Sequence, residues 1–167
     1  REILVRIRKL MFVRRALSTT SQLRSAVRAW SAAHVEPQAL EHDRDERFNR
    51  ALFDKLGQEL GVNDVSFEDD HSVPCVIAEE LSYRDPGFCL SWMAHSVLFV
   101  HNLRTNAKTE GQKEKIPEIG AMCMSEPGAG TDVLGMTTTA VKDGDRYVMN
   151  GRKMRITHGG VADAMLV

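Results

Sequence analysis

The length and charge of the chain exclude several classes of protein. With 167 residues it has room for one ordinary domain, or for one small domain and the beginning of another. Apolar residues make up 43% and charged residues 27%, which is typical of globular rather than disordered proteins. A net charge of -1 gives no basic field for nucleic-acid binding, and no apolar stretch is long enough to span a bilayer.

Basic residues are concentrated in the first 34 residues. From Met11 onward this segment is rich in arginine and serine and free of acidic residues, which is the composition of a mitochondrial transit peptide. We therefore predict that residues 1–34 lie outside the fold and direct the protein to the mitochondrial matrix. Residues 1–10 lie upstream of a plausible start methionine and indicate an upstream reading-frame extension. The alternative is a basic amphipathic helix that lies on a membrane or packs on a partner.

A helical domain is predicted over residues 35–117, with its first folded segment beginning near Pro37. Apolar residues recur there at every fourth position and form one stripe of an amphipathic helix. These residues are Phe48, Leu52, Leu56 and Leu60. A polar loop over 61–74 ends this helix, and a short helix follows over 76–83.

The next predicted helix begins with Asp85 as N-cap and Pro86 in the first turn. Residues 88–100 are apolar nearly all round, so we expect this helix to be buried. We interpret His95 and His101 as packing residues, because neither has the spacing of a metal ligand pair. The cysteines form no CxxC pair, so we expect reduced thiols in packing positions and no metal site. They are Cys75, Cys89 and Cys123.

The composition changes to threonines, small residues and turn dipeptides after Gly120, which favours strands. A polar helix over 109–115 is predicted to precede this change, before Pro117 ends the helical half. Strands are predicted over 137–142, 146–149, 152–157 and 162–167, joined by tight turns at Asp143-Gly144 and Asn150-Gly151. The predicted fold class is therefore α+β: a helical domain followed by the start of an antiparallel β-domain at 118–167.

The segment AMCMSEPGAGTD, residues 121–132, is the most specific motif in the chain. Gly128 and Gly130 permit positive φ and a close backbone approach, while Ser125 and Thr131 supply hydroxyls and amides. Such a loop suits a phosphate or a flat heteroaromatic ring. A dinucleotide-binding GxGxxG loop is disfavoured, because the preceding strand and the following helix are missing. A plain interdomain turn is the alternative.

MSEPGAGTDV, followed by NGRKMRITHGG, resembles the two flavin-binding signatures of the acyl-CoA dehydrogenase family. The resemblance extends over about residues 37–167 and includes YRDPGFCLSWMAHS and GQKEKIPEIG. Among the subfamilies it is most similar to isovaleryl-CoA and related short, branched-chain acyl-CoA dehydrogenases. It implies a helical N-terminal domain, a middle β-domain and a C-terminal helical bundle, assembled as a homotetramer with FAD between the domains. This chain contains the first domain and part of the second.

The resemblance also implies which residues contact the flavin and the substrate. Ser125 is expected to donate to the pyrimidine edge of the ring, and the Thr157 hydroxyl to lie near the hydride-accepting nitrogen. Thr131 is expected to contact the CoA portion of the substrate. The full set of implied flavin contacts is Met122, Cys123, Met124, Ser125, Arg155, Ile156 and Thr157.

The implied reaction converts an acyl-CoA into its trans-2-enoyl-CoA. A glutamate removes the α-proton while the β-hydrogen leaves as hydride to FAD, and electron-transferring flavoprotein accepts the electrons. No glutamate in this sequence fits the position of that base, so we expect no catalytic residue here and interpret Glu126 as structural. The alternative is a non-catalytic truncated remnant that acts, if at all, by binding a partner.

This sequence departs from the family pattern at three places. Arg155 stands where the family usually has a tryptophan, and His158 replaces the usual asparagine. A guanidinium can stack on an aromatic face or alter the charge at the flavin, and a divergent copy is the alternative. The chain also has fewer residues between Leu60 and Val76, and between Ile116 and Gly120. If these deletions are genuine, the geometry from helix to loop is expected to differ from that of the family.

Overall fold

Helices dominate the first part of the chain and strands the last part. The computed structural model describes residues 19–64, 70–109, 111 and 116–167. Most of the predicted transit peptide before Thr19, and most of the predicted helix over 109–115, lie outside the described residues. The helices are α1 (Thr20–His34), α2 (Glu36–Arg44), α3 (Arg50–Leu60), α4 (Ser72–Ser82), α5 (Pro86–Met93), a π-helical continuation (Ala94–His101) and α6 (Asn102–Asn106). The strands are β1 (Gly120–Met122), β2 (Thr139–Asp143), β3 (Arg146–Asn150) and β4 (Ala164–Leu166), and a 3₁₀ turn spans Val133–Gly135.

The first 34 residues do not lie wholly outside the fold. Helix α1 begins at an N-cap, Thr19, whose hydroxyl accepts from the Gln22 amide, while the Gln22 side chain accepts from the Thr19 amide. Val27 is fully buried and Trp30 nearly so, and the helix packs against α4. The prediction that the folded part begins near Pro37 is therefore wrong.

The arginines of α1 are paired with carboxylates far along the chain. Arg24 Nη1 donates to Glu80 Oε1 at 2.7 Å, and Arg28 Nε donates to Glu80 Oε2 at 2.8 Å. Glu80 is buried, whereas Arg24 also contacts Glu79 at 2.8 Å on the surface. The positive charge that suggested a transit peptide is therefore balanced by acidic residues of α4. These residues lie more than 50 positions away, so the composition of the N-terminal segment does not reveal the pairing.

The helical half has its own apolar core, as the periodicity predicts. The apolar stripe of α3 lies inside it, and Asn49 caps that helix by accepting from the Leu52 amide at 3.1 Å. The core also holds the predicted packing residue His95, together with Cys89. Cys75 is exposed, contrary to the prediction. The fully buried large side chains include Phe53, Leu56, Ile77, Leu81 and Trp92.

The predicted helix after Asp85 forms, but one of its faces stays exposed. The Asp85 carboxylate accepts from the Phe88 amide at 2.9 Å, which confirms the predicted cap. Leu90, Met93 and Leu98 are 54%, 38% and 47% exposed, so the expectation that the whole helix is buried is wrong. No described element covers this face. None of the helices in the described part of the chain is long and apolar enough to cross a membrane.

The strands form two small sheets. Strands β2 and β3 pair in antiparallel register from Thr139↔Asn150 to Asp143↔Arg146, with a two-residue turn at Gly144-Asp145 that lies one residue beyond the predicted turn. Gly144 has a φ of 60°, as such a turn requires. Strands β1 and β4 pair in parallel, with Gly120 opposite Ala164. The predicted fold class, helices followed by the start of an antiparallel sheet, is confirmed.

Residues 152–157 form no strand, which corrects the prediction of a third strand after an Asn150-Gly151 turn. A side chain at Gly151 would lie 2.1 Å from the Thr138 hydroxyl, so the chain passes close to Thr138 at this point. The Met154 amide then donates to the Ser125 carbonyl at 3.0 Å. The segment therefore runs beside the glycine loop instead of pairing with β3.

Candidate functional site

The glycine loop closes on itself at its centre. The Glu126 amide donates to the Ala129 carbonyl at 2.9 Å, and the Ala129 amide donates back to the Glu126 carbonyl at 3.2 Å. Neither Gly128 nor Gly130 has a positive φ, contrary to what the motif suggested. A Cβ at either glycine would meet no protein atom within 4 Å, so internal packing does not require glycine there. These positions leave the backbone open on the outer side of the loop.

The Glu126 carboxylate anchors this loop from beneath. Its Oε2 accepts from the Thr137 amide at 2.6 Å and the Thr137 hydroxyl at 2.8 Å, and its Oε1 accepts from the Thr138 amide at 3.0 Å. The Lys153 ammonium donates to Oε1 at 2.9 Å. Hydrogen bonds from Thr138, Thr137 and Lys153 hold the pKa of Glu126 well below its usual range. An ionised carboxylate with these bonds is a structural anchor and a poor proton acceptor.

Lys153 connects the two segments that carry the predicted flavin contacts. Its ammonium donates to the Met124 carbonyl at 3.1 Å as well as to Glu126. One residue later, the Met154 amide bonds to the Ser125 carbonyl. The two segments, separated by about 30 residues in sequence, therefore lie side by side. Sequence reasoning missed Lys153, although its position within the second signature was the available signal.

Most of the predicted flavin contacts are at least partly accessible. Met124 and Arg155 are exposed, and Thr131 is exposed on the glycine loop. Half-buried positions are Met122, Ser125, Ile156 and Thr157. Within the described part of the chain, no hydrogen bond engages the hydroxyls of Ser125, Thr131 and Thr157. These hydroxyls are thus available to a ligand.

Cys123 offers less to a ligand than its place in the motif suggests. Its side chain is buried, and burial raises the pKa of its thiol. Its amide donates to the Leu166 carbonyl at 2.7 Å. The side chain and the amide of Cys123 are therefore not available to a flavin, and only its carbonyl remains.

Two non-glycine residues of the second segment have positive φ. Arg155 has a φ of 55° and His158 a φ of 68°, and Arg155 makes no ion pair with any described residue. A positive φ is uncommon outside glycine and costs free energy that the surrounding contacts must offset. His158 is buried, its ring centroid lies 4.9 Å from that of Phe48, and burial lowers the pKa of its imidazole. The sequence marked both positions only as departures from the family pattern.

An open groove of about 500 Å³ lies where the second segment meets the helical half. Ile156 and Thr157 line it, facing Phe48, Asn49 and Phe88. Ser125 does not line this groove. The predicted flavin contacts therefore lie on neighbouring segments, and of them only Ile156 and Thr157 line this groove.

Comparison with known proteins places both halves of the chain in one family. The profile of the acyl-CoA dehydrogenase N-terminal domain matches residues 18–122, and that of the acyl-CoA dehydrogenase middle domain matches residues 121–167. The first match includes helix α1, in agreement with its place in the core. The two matches meet at β1, where the chain passes from the helical half to the glycine loop.

Related proteins extend well beyond the length of this chain. Mitochondrial isovaleryl-CoA dehydrogenase of Pongo abelii is 36% identical over 162 residues, which is 87% of this chain and 38% of that protein. The structure of butyryl-CoA dehydrogenase from Megasphaera elsdenii matches with a TM-score of 0.76 and 31% identity, over 86% of this chain and 42% of the other. A glutaryl-CoA dehydrogenase from Mycobacterium smegmatis, in complex with FADH2, matches with a TM-score of 0.78 and 25% identity, over 89% and 41%. The chain thus spans about two fifths of the length of these relatives.

Proposed function

Because the chain belongs to the acyl-CoA dehydrogenase family, we propose that it forms the flavin-binding part of an FAD-dependent acyl-CoA dehydrogenase. The observation that carries this proposal is the contact between the two signature segments, in which the Met154 amide bonds to the Ser125 carbonyl at 3.0 Å. That contact puts two uncommitted hydroxyl groups, those of Ser125 and Thr157, on adjacent segments. The relative solved with FADH2 supports the choice of cofactor.

The residues present fit a flat, polar-edged ring. The outer side of the glycine loop is open, since side chains at Gly128 and Gly130 would meet no protein atom. Ser125 can donate a hydrogen bond to the pyrimidine edge of an isoalloxazine, and Thr157 can donate to its central ring. FAD, when bound, would serve as the acceptor of the hydride from the β-carbon of the substrate.

We propose that Glu126 keeps this loop in shape and takes no part in proton transfer. All four of its hydrogen bonds are donated to the ionised carboxylate, so protonation would weaken them, and its lowered pKa opposes protonation at neutral pH. The general base that removes the α-proton is then supplied by a part of the protein outside these 167 residues. The reaction forms trans-2-enoyl-CoA from a saturated acyl-CoA.

The substrate we propose is a short or branched acyl-CoA of the isovaleryl-CoA type, with Thr131 at its CoA portion. Support comes from the isovaleryl-CoA dehydrogenase relative and from the exposed position of Thr131 on the loop. Relatives named for butyryl-CoA and glutaryl-CoA are the competing possibilities. A mitochondrial matrix location, a homotetramer, and electron-transferring flavoprotein as the acceptor are part of the same proposal.

A second candidate function is that of a non-catalytic remnant that binds a partner. The exposed apolar residues favour it, because large apolar surfaces mark interaction sites. These residues are Leu90, Met93 and Leu98 on the helix after Asp85, and Val141, Tyr147 and Val148 on the hairpin.

Flavin titration tests the proposal. The purified protein is expected to bind FAD and become yellow, and the Ser125→Ala and Thr157→Ala variants are expected to bind it at least tenfold more weakly. Ser21→Ala, an exposed serine on α1, is the matched control and should bind as the unsubstituted protein does. A protein that stays colourless after FAD is added would contradict the proposal and favour the remnant.

A further inference from the structure

One residue at the junction of the two halves, Gly120, is bonded to a histidine ring at its amide and to another at its carbonyl. The Gly120 amide donates to His95 Nδ1 at 2.9 Å, and His158 Nδ1 lies 3.2 Å from the Gly120 carbonyl oxygen. Both rings are buried. His95 belongs to the π-helical segment of the helical half, whereas His158 directly follows Thr157 in the second signature.

The chemistry of the two backbone groups of Gly120 determines where each ring carries its proton. A carbonyl oxygen only accepts, so Nδ1 of His158 carries a hydrogen and donates it. A peptide N–H only donates, so Nδ1 of His95 is unprotonated. As neutral imidazoles the two rings are opposite tautomers, with His158 protonated on Nδ1 and His95 on Nε2. Burial lowers the pKa of His158, which favours its neutral form at neutral pH.

Aromatic packing leaves these rings little freedom to move. The ring of Phe53 meets both of them edge-on, with centroids 5.4 Å from His95 and 5.9 Å from His158. A Cβ at position 120 would lie 2.2 Å from the ring of Phe99, so only glycine fits beside that ring. The bonds to Gly120 are therefore fixed by tight packing as well as by hydrogen bonding.

Gly120 is the first residue of the strand that leads to Ser125. Strand β1 begins at Gly120, and Ser125 is the fifth residue after that glycine. The His158 bond ties this start to the residue after Thr157, and the Met154 amide ties Ser125 to a point three residues before Thr157. Two cross-links thus join the segments that carry the two hydroxyls.

We propose that His158 is a positioning residue for the flavin site, which together with His95 sets the spacing of Ser125 and Thr157. The two rings, in opposite tautomers, hold the amide and the carbonyl of Gly120. This inference rests on the proposed function. His158 does not itself touch the cofactor in this scheme. It acts through the backbone of the two segments that do.

Histidine side-chain NMR on the ¹⁵N-labelled protein tests the tautomers directly. We expect His158 to show the Nδ1–H form and His95 the Nε2–H form. Detection of the Nε2–H form for His158 would overturn the proposal, and this measurement needs no substitution.

Flavin titration of His158 variants tests the positioning role. His158→Leu removes the donor and should weaken FAD binding at least tenfold. His158→Asn restores a donor to the Gly120 carbonyl and should recover the affinity to within about threefold. His71→Leu and His71→Asn are matched controls, because His71 is exposed at the start of α4.

The outcomes separate this inference from the proposed function. If the unsubstituted protein binds FAD and His158→Leu binds equally well, His158 has no positioning role. If no form binds FAD, the proposed function and the inference both fail. Should His158→Leu not fold, loss of affinity in a folded His158→Asn protein would overturn the proposal just as clearly.

Discussion

The helical half and the β-hairpin of this chain bury their side chains to very different degrees. Phe53, Ile77 and Trp92 are fully buried in the helical half, whereas all five residues of each hairpin strand are exposed. Val141 and Tyr147 are 61% and 67% exposed. A two-stranded hairpin without a covered face has little stability of its own. The helical half therefore carries the stability of the described chain, while the hairpin depends on polar anchors such as Glu126.

The largest expected effect is in the helical core. Trp92→Ala should lower the free energy of unfolding by about 3–5 kcal/mol, because it leaves a large cavity and also removes the bond from Nε1 to the Val62 carbonyl. The measurement is urea unfolding followed by circular dichroism. Tyr147→Ala on the hairpin is the control, with an expected change below about 0.5 kcal/mol. Equal losses of unfolding free energy in the two variants would contradict the view that the helical half carries the stability.

A smaller loss is expected at the buried carboxylate that joins α1 to α4. Glu80→Gln should cost about 1–2 kcal/mol, since it weakens hydrogen bonds from Arg24 and Arg28 to a buried group. The two arginines are partly in water, which limits the effect. Glu79→Gln, at the exposed neighbouring position, should leave the unfolding midpoint unchanged. Identical midpoints for both variants would show that α1 is not held by this ion pair.

A pH dependence is expected at the junction between the halves. The folded-state pKa of His158 lies below the ordinary value of about 6.5, so the unfolded chain takes up a proton first as the pH falls. Its contribution to stability is therefore full above pH 6.5 and declines as the pH falls from there through the folded pKa. The charged groups at this junction include Asp163, which accepts from the Ile119 amide at 2.9 Å and pairs with Arg50, and Arg50 also pairs with Glu118.

Unfolding of the His158→Asn variant between pH 7 and pH 5 isolates this term. The variant should show a flatter stability profile than the unsubstituted protein over that range. The carboxylates with lowered pKa, such as Glu80 and Asp163, lose their contribution only at lower pH, and they do so in both proteins. Profiles of equal slope would mean that His158 is not buried in solution.

The smallest global effect is expected at the anchor of the hairpin. Glu126→Gln should speed hydrogen exchange at the Thr137 and Thr138 amides, which donate to this carboxylate, while the helical amides keep their protection. Exchange measured by NMR distinguishes the two regions. Faster exchange throughout the helical half would contradict this expectation, because it would show that the loop belongs to the main cooperative unit.

Local patterns in the sequence were sufficient for the elements with strong local signals. The four-residue period predicts α3, Asp85 predicts the cap of α5, and an Asp-Gly turn predicts the β2–β3 hairpin. Each of these depends on residues within about one or two turns of chain, so a short window contains the whole signal. The two signature segments are recognisable for the same reason.

Long-range contacts decided the features that sequence reasoning predicted wrongly. The segment 152–157 has the composition of a strand, yet it bonds to Ser125 and not to β3, because the chain passes close to Thr138 at Gly151. The exposed face of the helix with Leu90 and Leu98 likewise has no covering element among the described residues. Neither feature can be predicted from the residues of the segment itself.

The sequence by itself determined the family, the succession of a helical half and a strand-containing half, and the chemical character of the flavin loop. Only the tertiary structure decided that the basic helix α1 is part of the core, that Glu126 and Lys153 anchor the loop, and that two histidines bond to the amide and the carbonyl of Gly120. The physical reason is distance along the chain. Arg24 and Glu80 are 56 positions apart, and His158 and Gly120 are 38 apart, so their bonds exist only once the whole chain has folded.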